Sequence, residues 1–354
     1  MPEKIKLAII GLGNAASALI QGIEYYREGL NNGGLLRPTL AGYHISDIQI
    51  VAVVDISGNK VGKKVYEAIH ENELDIRVDL SKNYDITVVM GNILDGVIKE
   101  TELSVNPSNQ TSVNISEYLK STDAEIVLCL LPSGADNAVK FYANEALKAG
   151  CAFINATPTS IATDEEIAKN FYNAKLPLIG DDLQDQFGVT ILHKNILQEM
   201  LNRGIDIKES YALDVGGGSE SLNTIYRSRE IKREIKSKSV AGALKIDAPV
   251  VAGTSDWVGF LNNKRNSMLW IVGNGFLGSK IIMDIKIQSE DGPNGGSVLV
   301  DVIRATKVAI NQCAAGSINE ISAYGFKNPP KFPKNPAEAN RSLANFILGI
   351  KQEG

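Results

Sequence analysis

The sequence predicts an α/β chain built on a doubly wound parallel sheet, with a second region of α+β character behind it. Three observations carry that prediction. Apolar runs of strand length (Leu7–Ile10, Ile48–Val54, Glu125–Leu131, Cys151–Asn155) alternate with helix-length stretches, as strands buried on both faces do. The first run ends in a glycine turn that reopens as a helix. Beyond Gly204 the runs give way to period-two alternation, as in Ile282–Gln288, the pattern of a sheet with one covered and one wet face.

In chain order, Ile9-Ile10-Gly11-Leu12-Gly13-Asn14-Ala15-Ala16-Ser17 comes first. Gly11 permits a tight turn, Gly13 lets backbone approach a diphosphate, and Ala16 packs the helix on the strand. The unpaired N–H groups and positive dipole end of that helix suit an anion. The second run ends in Asp55, expected to bind the ribose hydroxyls of NAD, after an inserted segment from Arg27 to Asp47. Nearby Lys60, Lys63 and Lys64 leave a 2′-phosphate open.

A helix over Val61–His70, a strand over Thr87–Met90 and a polar surface excursion over Glu100–Ser112 are expected next. The third run stops at Pro132-Ser133-Gly134 before a helix, Asp136–Lys148, capped by Gly150. Asn155-Ala156-Thr157-Pro158 follows the fourth run, Thr163 opens a capping box, and Leu176–Ile179 leads into Gly180-Asp181-Asp182. In a parallel sheet these polar clusters share the rim beyond the strands' carboxyl ends, where ligands gather. A helix from Gly188 to Arg203 carries His193, read as a packed histidine, then come a strand Ser210–Val215, a Gly216–Gly218 loop and helices over Asp301–Ala309 and Pro336–Lys351.

A net charge of -5, no apolar run near the roughly 20 residues of a membrane span and no dominant basic tract argue against membrane and nucleic acid as partners. A cytoplasmic protein is expected. Cys129, Cys151 and Cys313 are scattered, so buried thiols are expected rather than disulfides or a thiolate metal site. The basic segment Arg227–Lys238 reads by composition as a solvated helix, or one that orders around an anion.

Taken together, these segments resemble the myo-inositol-1-phosphate synthase family in its shorter archaeal and bacterial form. The likeness runs through the Gly11–Gly22 loop and helix, Val53-Val54-Asp55, Leu94-Asp95-Gly96, Gly180–Gly188 with His193, and Gly216-Gly217-Gly218 with Leu222-Asn223. It continues through Ala252–Asp256, Glu290–Asn294, Asp301–Arg304 and Ser322-Ala323-Tyr324 with Lys327.

The resemblance implies closure of glucose 6-phosphate to inositol phosphate by oxidation, enolisation, aldol attack and re-reduction, with NAD restored in each turnover. It assigns catalysis to Lys232, Lys236, Lys264 and Lys327, and cofactor contacts to Gly11, Gly13, Asn14, Ala15, Ala16, Asp55, Leu131, Pro132, Ser133, Thr157, Asp182 and Asp291. Gln186, Leu222, Asn223, Lys236 and Lys264 are assigned to substrate. It implies a homotetramer and leaves a divalent cation near Asp291 open.

The chain departs from the family pattern at Gln184 and Asp185, where Lys and Ser are usual, at Glu220 for Asp and at Gly292 for Ser. Arg265 follows Lys264, so a shift of one exchanges their roles. The division expected is a Rossmann domain over 1–187, an α+β catalytic and oligomerisation domain over 188–296, and a helical return over 297–354. Two rival readings remain. A conventional NAD-dependent dehydrogenase of a sugar phosphate would release NADH; a non-catalytic nucleotide-binding regulator would have no use for the four lysines.

Overall fold

The computed structural model describes residues 3–29, 32–80, 84–97, 105–244 and 248–349. β1 (Ile5–Ile10) turns through Gly11 into α1 (Asn14–Tyr25), and the insertion before β4 (Ile48–Asp55) holds a small hairpin, β2 (Thr39–Leu40) and β3 (Tyr43–His44). α2 (Val65–Ala68), β5 (Val89–Met90), α3 (Ile115–Ser121), β6 (Ile126–Cys129), α4 (Asp136–Ala149), β7 (Ala152–Asn155), α5 (Glu165–Asn173) and β8 (Pro177–Ile179) continue the alternation.

The second region comprises α6 (Val189–Asn202), β9 (Asp206–Gly216), α7 (Ser219–Asn223), a π-helical turn over Thr224–Ser228, α8 (Arg229–Leu244), β10 (Val250–Trp257), β11 (Lys264–Asn274) and β12 (Lys280–Glu290). α9 (Asp291–Asn311) returns to the first region, followed by β13 (Gly316–Ser317), α10 (Asn319–Gly325) and α11 (Pro336–Ile347).

The seven-stranded sheet has the order β13-β8-β7-β6-β1-β4-β5 and is parallel throughout. Its continuous apolar strands are explained by cover on both faces. Ile5, Leu7 and Ile9 of β1 pack with α1 and α9, whereas Ala8 and Ile10 pack with α3 and α4. The second sheet, β10-β9-β11-β12, pairs β10 with β9 in parallel and the others antiparallel. One face packs on α6 and α8; the other leaves Tyr211, Leu213, Met268 and Ile282 exposed, with Tyr211 stacked on Trp270.

Several local expectations are corrected. The helix expected over Val61–His70 forms only at Val65–Ala68 with a 3-10 turn to Glu71, because Gly62 sits at φ +88 and pairs with Val88. Thr87 bridges Lys64 instead of extending β5. The cap of α5 is Asp164, not Thr163, whose hydroxyl and N–H both turn to Asp181. The helix expected from Asp301 already begins at Asp291, since three glycines in its first turns let it lie close against its neighbours; a Cβ at Gly292 would stand 3.0 Å from Leu74 and 3.1 Å from the Asn14 carbonyl. Cys129 and Cys151 are buried, but Cys313 is exposed beyond α9. Residues 100–104 of the surface excursion and 350–351 of the last expected helix lie outside the described residues. No described helix is long and apolar enough to cross a membrane.

Candidate active site

A large cleft lies over the carboxyl ends of β1, β4 and β6 and is closed on its far side by the second region. Its nucleotide wall is made mostly of backbone. Gly11 adopts φ +92 and donates to the Val54 carbonyl at 2.9 Å; a Cβ there would meet the Leu130 carbonyl at 2.8 Å. Gly13 caps α1 with no side chain, so the first-turn N–H groups open into the cleft beside Asn14, Ala15 and Ala16. At the end of β4 the Asp55 carboxylate accepts from the N–H groups of Leu12, Ile56 and Ser57 at 2.7–2.8 Å.

The three neighbouring lysines are occupied. Lys60 donates to the Leu12 carbonyl and to Asn72, both at 2.7 Å, while Lys63 pairs with Glu71 and Lys64 with Asp85. Leu131, Pro132, Ser133 and Thr157 continue the same rim. The two aspartates after β8 have separate tasks. Asp181 is fully buried and accepts from Asn155, Ile161, Ala162 and Thr163, tying two loops together. Asp182 faces the cleft, and its Oδ2 has no partner.

The opposite wall is made of charged side chains. The basic segment is folded: Arg229, Glu230, Arg233, Glu234 and Lys238 face outward, while Lys232 and Lys236, one turn apart on α8, face the cleft. Arg227 pins the segment to the nucleotide wall by donating to the Asp95 and Gly134 carbonyls. Lys232 lies 2.6 Å from Glu220 and 3.8 Å from Asp182; Glu220 in turn takes the Ser133 hydroxyl at 2.5 Å. Burial would push the Glu220 carboxyl up, but Lys232, with Ser133, outweighs it and holds it below the ordinary glutamate range.

Lys236 pairs with Asp214, which also accepts from Ser267 at 2.6 Å and lies 3.4 Å from Arg265. These two cations overcome burial and draw the Asp214 carboxyl down to about 2. Arg265 forks onto Asp291, with N–O distances of 2.5–3.0 Å. Lys327 donates to the Leu183 carbonyl at 2.6 Å and lies 3.8 Å from Asp182.

Leu222 and Asn223 line the cleft where α7 meets it. Two expected residues lie outside the lining. Alternation along β11 sends Lys264 to the face opposite Arg265, where its ammonium pairs with Asp75 at 2.7 Å and is 40% exposed. Of this pair, the cation that lines the cleft is therefore Arg265. Gln186 turns away to donate to the Gly34 carbonyl, and Asp185 faces the cleft instead. Gln184 accepts at 2.9 Å from Lys194, an amine that burial draws down to about 7; a basic group thus stands beside the position where the expected lysine is missing.

Asp214 and Arg265 were legible only in part. Each is a charged residue in phase with inward apolar or small positions of its strand, Ala212 in one case and Leu269 and Ile271 in the other. Glu220 follows the Gly216–Gly218 loop, and only the family pattern singles it out, as a glutamate where aspartate is usual. A cation at Asp291 does not fit these residues: both carboxylate oxygens face Arg265, and no group of three or more His, Cys, Asp or Glu among the described residues is placed to hold a metal. The buried face of α6 carries His193 on Ser210 at 2.6 Å, outside the cleft lining, as a packed histidine should be.

The sequence model of the myo-inositol-1-phosphate synthase family matches residues 188–292. Inositol-3-phosphate synthase of Mycolicibacterium smegmatis is 36% identical, covering 98% of both chains. The chain belongs to the myo-inositol-1-phosphate synthase family. The inositol-3-phosphate synthase of Corynebacterium glutamicum is 33% identical over 97% of this chain and 98% of its own. Among solved structures, Ari2 is similar at a TM-score of 0.80 and 30% identity over 98% of each chain. Inositol-3-phosphate synthase of Caenorhabditis elegans, at 14% identity and a TM-score of 0.77, covers 99% of this chain and 86% of its own; it shares the fold. Membership makes the chain an enzyme of the isomerase class on a Rossmann-like fold.

Proposed function

We propose that the protein closes D-glucose 6-phosphate into 1D-myo-inositol 3-phosphate, with NAD as a cofactor borrowed and restored in each turnover. One observation carries the reading: Lys232, Lys236, Arg265 and Lys327, from three separate parts of the chain, converge across the cleft from the Gly11–Ala16 loop. Bound NAD supplies a reversible hydride acceptor. The glycine loop and open α1 N-terminus suit its diphosphate, Asp55 keeps spare acceptor capacity for ribose hydroxyls, and the occupied Lys60, Lys63 and Lys64 favour NAD over NADP.

The cations stabilise the negative charge that develops on the C5 and C1 oxygens and on the phosphate. Arg265 takes the role expected of Lys264. Each cation is already held by protein oxygens, which keeps it aimed before substrate arrives. Arg227 and Glu220 fasten α8 and α7 to the nucleotide wall, so the segment that carries Lys232 and Lys236 excludes water from the reactive enolate.

The three-part division at 187 and 296 is kept in this reading, with α9 crossing the second boundary, and the exposed Tyr211–Ile282 face of the second sheet supports assembly into a homotetramer in the cytoplasm. The test is incubation with glucose 6-phosphate and NAD. Inositol phosphate without net NADH supports the cyclase; NADH released in step with substrate loss supports the conventional dehydrogenase.

A further inference from the structure

Asp185 stands in the cleft where the family pattern has a serine, and its surroundings are unusual for a carboxylate. It lies just ahead of α6, and Gly188 makes room for it: a Cβ at 188 would stand 2.7 Å from Oδ2. Lys236 from α8, Arg265 from β11, Lys327 after α10 and Asp291 from α9 all act on it. Yet the cations are engaged elsewhere: Lys236 with Asp214, Arg265 with Asp291, Lys327 with the Leu183 carbonyl, and Lys232 with Glu220. Among the described residues Asp185 makes no hydrogen bond or ion pair, and it lines the cleft.

Ring closure needs a group that can accept a proton as well as groups that steady negative charge. Ion-paired ammonium groups and a guanidinium do the second and have no lone pair for the first. Resting on the cyclase reading above, we propose that Asp185 is the proton carrier of the ring closure, taking a proton from C6 of the C5-oxidised sugar phosphate and delivering it to O1. The C6–H bond breaks, and its electron pair is held as the enolate and then forms the C6–C1 bond. The C1 carbonyl π pair becomes the O1 lone pair that accepts the proton from the Asp185 carboxyl. No electrons are gained or lost in this step. Burial raises the Asp185 carboxyl above the ordinary aspartate range, against Lys327, Arg265 and Lys236 and with help from Asp291; this suits a base that must return its proton.

The test compares the full-length chain with Asp185→Asn, Asp185→Ser and Asp185→Glu, using ordinary and C6-dideuterated glucose 6-phosphate with NAD. The expected result is a fall in kcat of about 100-fold or more for Asn and Ser with KM little changed. The isotope effect on kcat rises and the acid limb of the pH profile is lost, while Glu restores part of the rate. Asp185→Ser at or above the unmodified kcat/KM, through a lower KM, would mark the carboxylate as a mere obstacle to phosphate and overturn the proposal. A fall in kcat with an unchanged isotope effect overturns it too. If Asn and Ser do not fold, Asp185→Glu decides alone through its isotope effect and pH limb. Failure of the unmodified chain to form inositol phosphate removes the cyclase reading together with this one.

Discussion

The Gly11–Ala16 wall of the cleft works through backbone, whereas the Lys232–Lys327 wall works through side chains that hold one another. On the first, the functional atoms are main-chain N–H groups at a helix end, and the side-chain requirement is mostly that there be none. On the second, Asp214 restrains both Lys236 and Arg265, Asp291 restrains Arg265, and Glu220 links Lys232 to Ser133 across the cleft. A wall of backbone is specified by a short contiguous sequence. A wall of ion pairs is specified by residues far apart in the chain, and losing one member exposes the charge of another.

The largest effect that would separate the walls is expected at Asp214. Asp214→Ala leaves Lys236 and Arg265 without a shared carboxylate in a buried place and should cost about 3–5 kcal/mol, read from urea unfolding. The pH dependence has a definite sign. Because the folded carboxyl titrates at about 2, below its ordinary 3.8, its stabilisation is present above pH 4 and is lost as pH falls toward 2. In Asp214→Asn that acid loss should be shallower; an identical acid profile would show that the carboxylate does not organise this wall.

Next comes Arg265→Ala, expected to lower kcat by roughly 10²–10³ as removal of one charge-stabilising donor does, with NAD affinity nearly unchanged in calorimetry. Gly11→Ala should do the converse. It forces a Cβ into the Leu130 carbonyl at a left-handed φ, a strain of order 1–3 kcal/mol, and weakens NAD binding more than it harms charge stabilisation. If both variants lost NAD and rate in equal proportion, the division of labour between the walls would fail. The smallest effect belongs to Lys264→Ala: a partly exposed pair with Asp75 is worth about 0–1 kcal/mol, so steady-state rates should stay close to those of the unmodified chain. A loss as large as that of Arg265→Ala would return Lys264 to the site.

The local pattern was enough for the parallel sheet, the glycine turn and Asp55, because strand periodicity, turn chemistry and helix-end dipoles act over a few residues. It was not enough for Lys232 and Lys236, which composition gave to solvent and only the family resemblance assigned to catalysis. Burial of one face of α8 depends on how it packs against β10 and α6, which the composition of the segment does not reveal. The choice between Lys264 and Arg265 turned on a single step of strand phase, which the pairing of β11 with β9 and β12 sets. Gln186 and Asp185 divided in the same way, by which side chain the turn before α6 directs inward. Contiguous chemistry can be read along a chain. Which charges share a partner follows only from packing, since the Coulomb and desolvation terms that settle it depend on distances between segments that the sequence leaves apart.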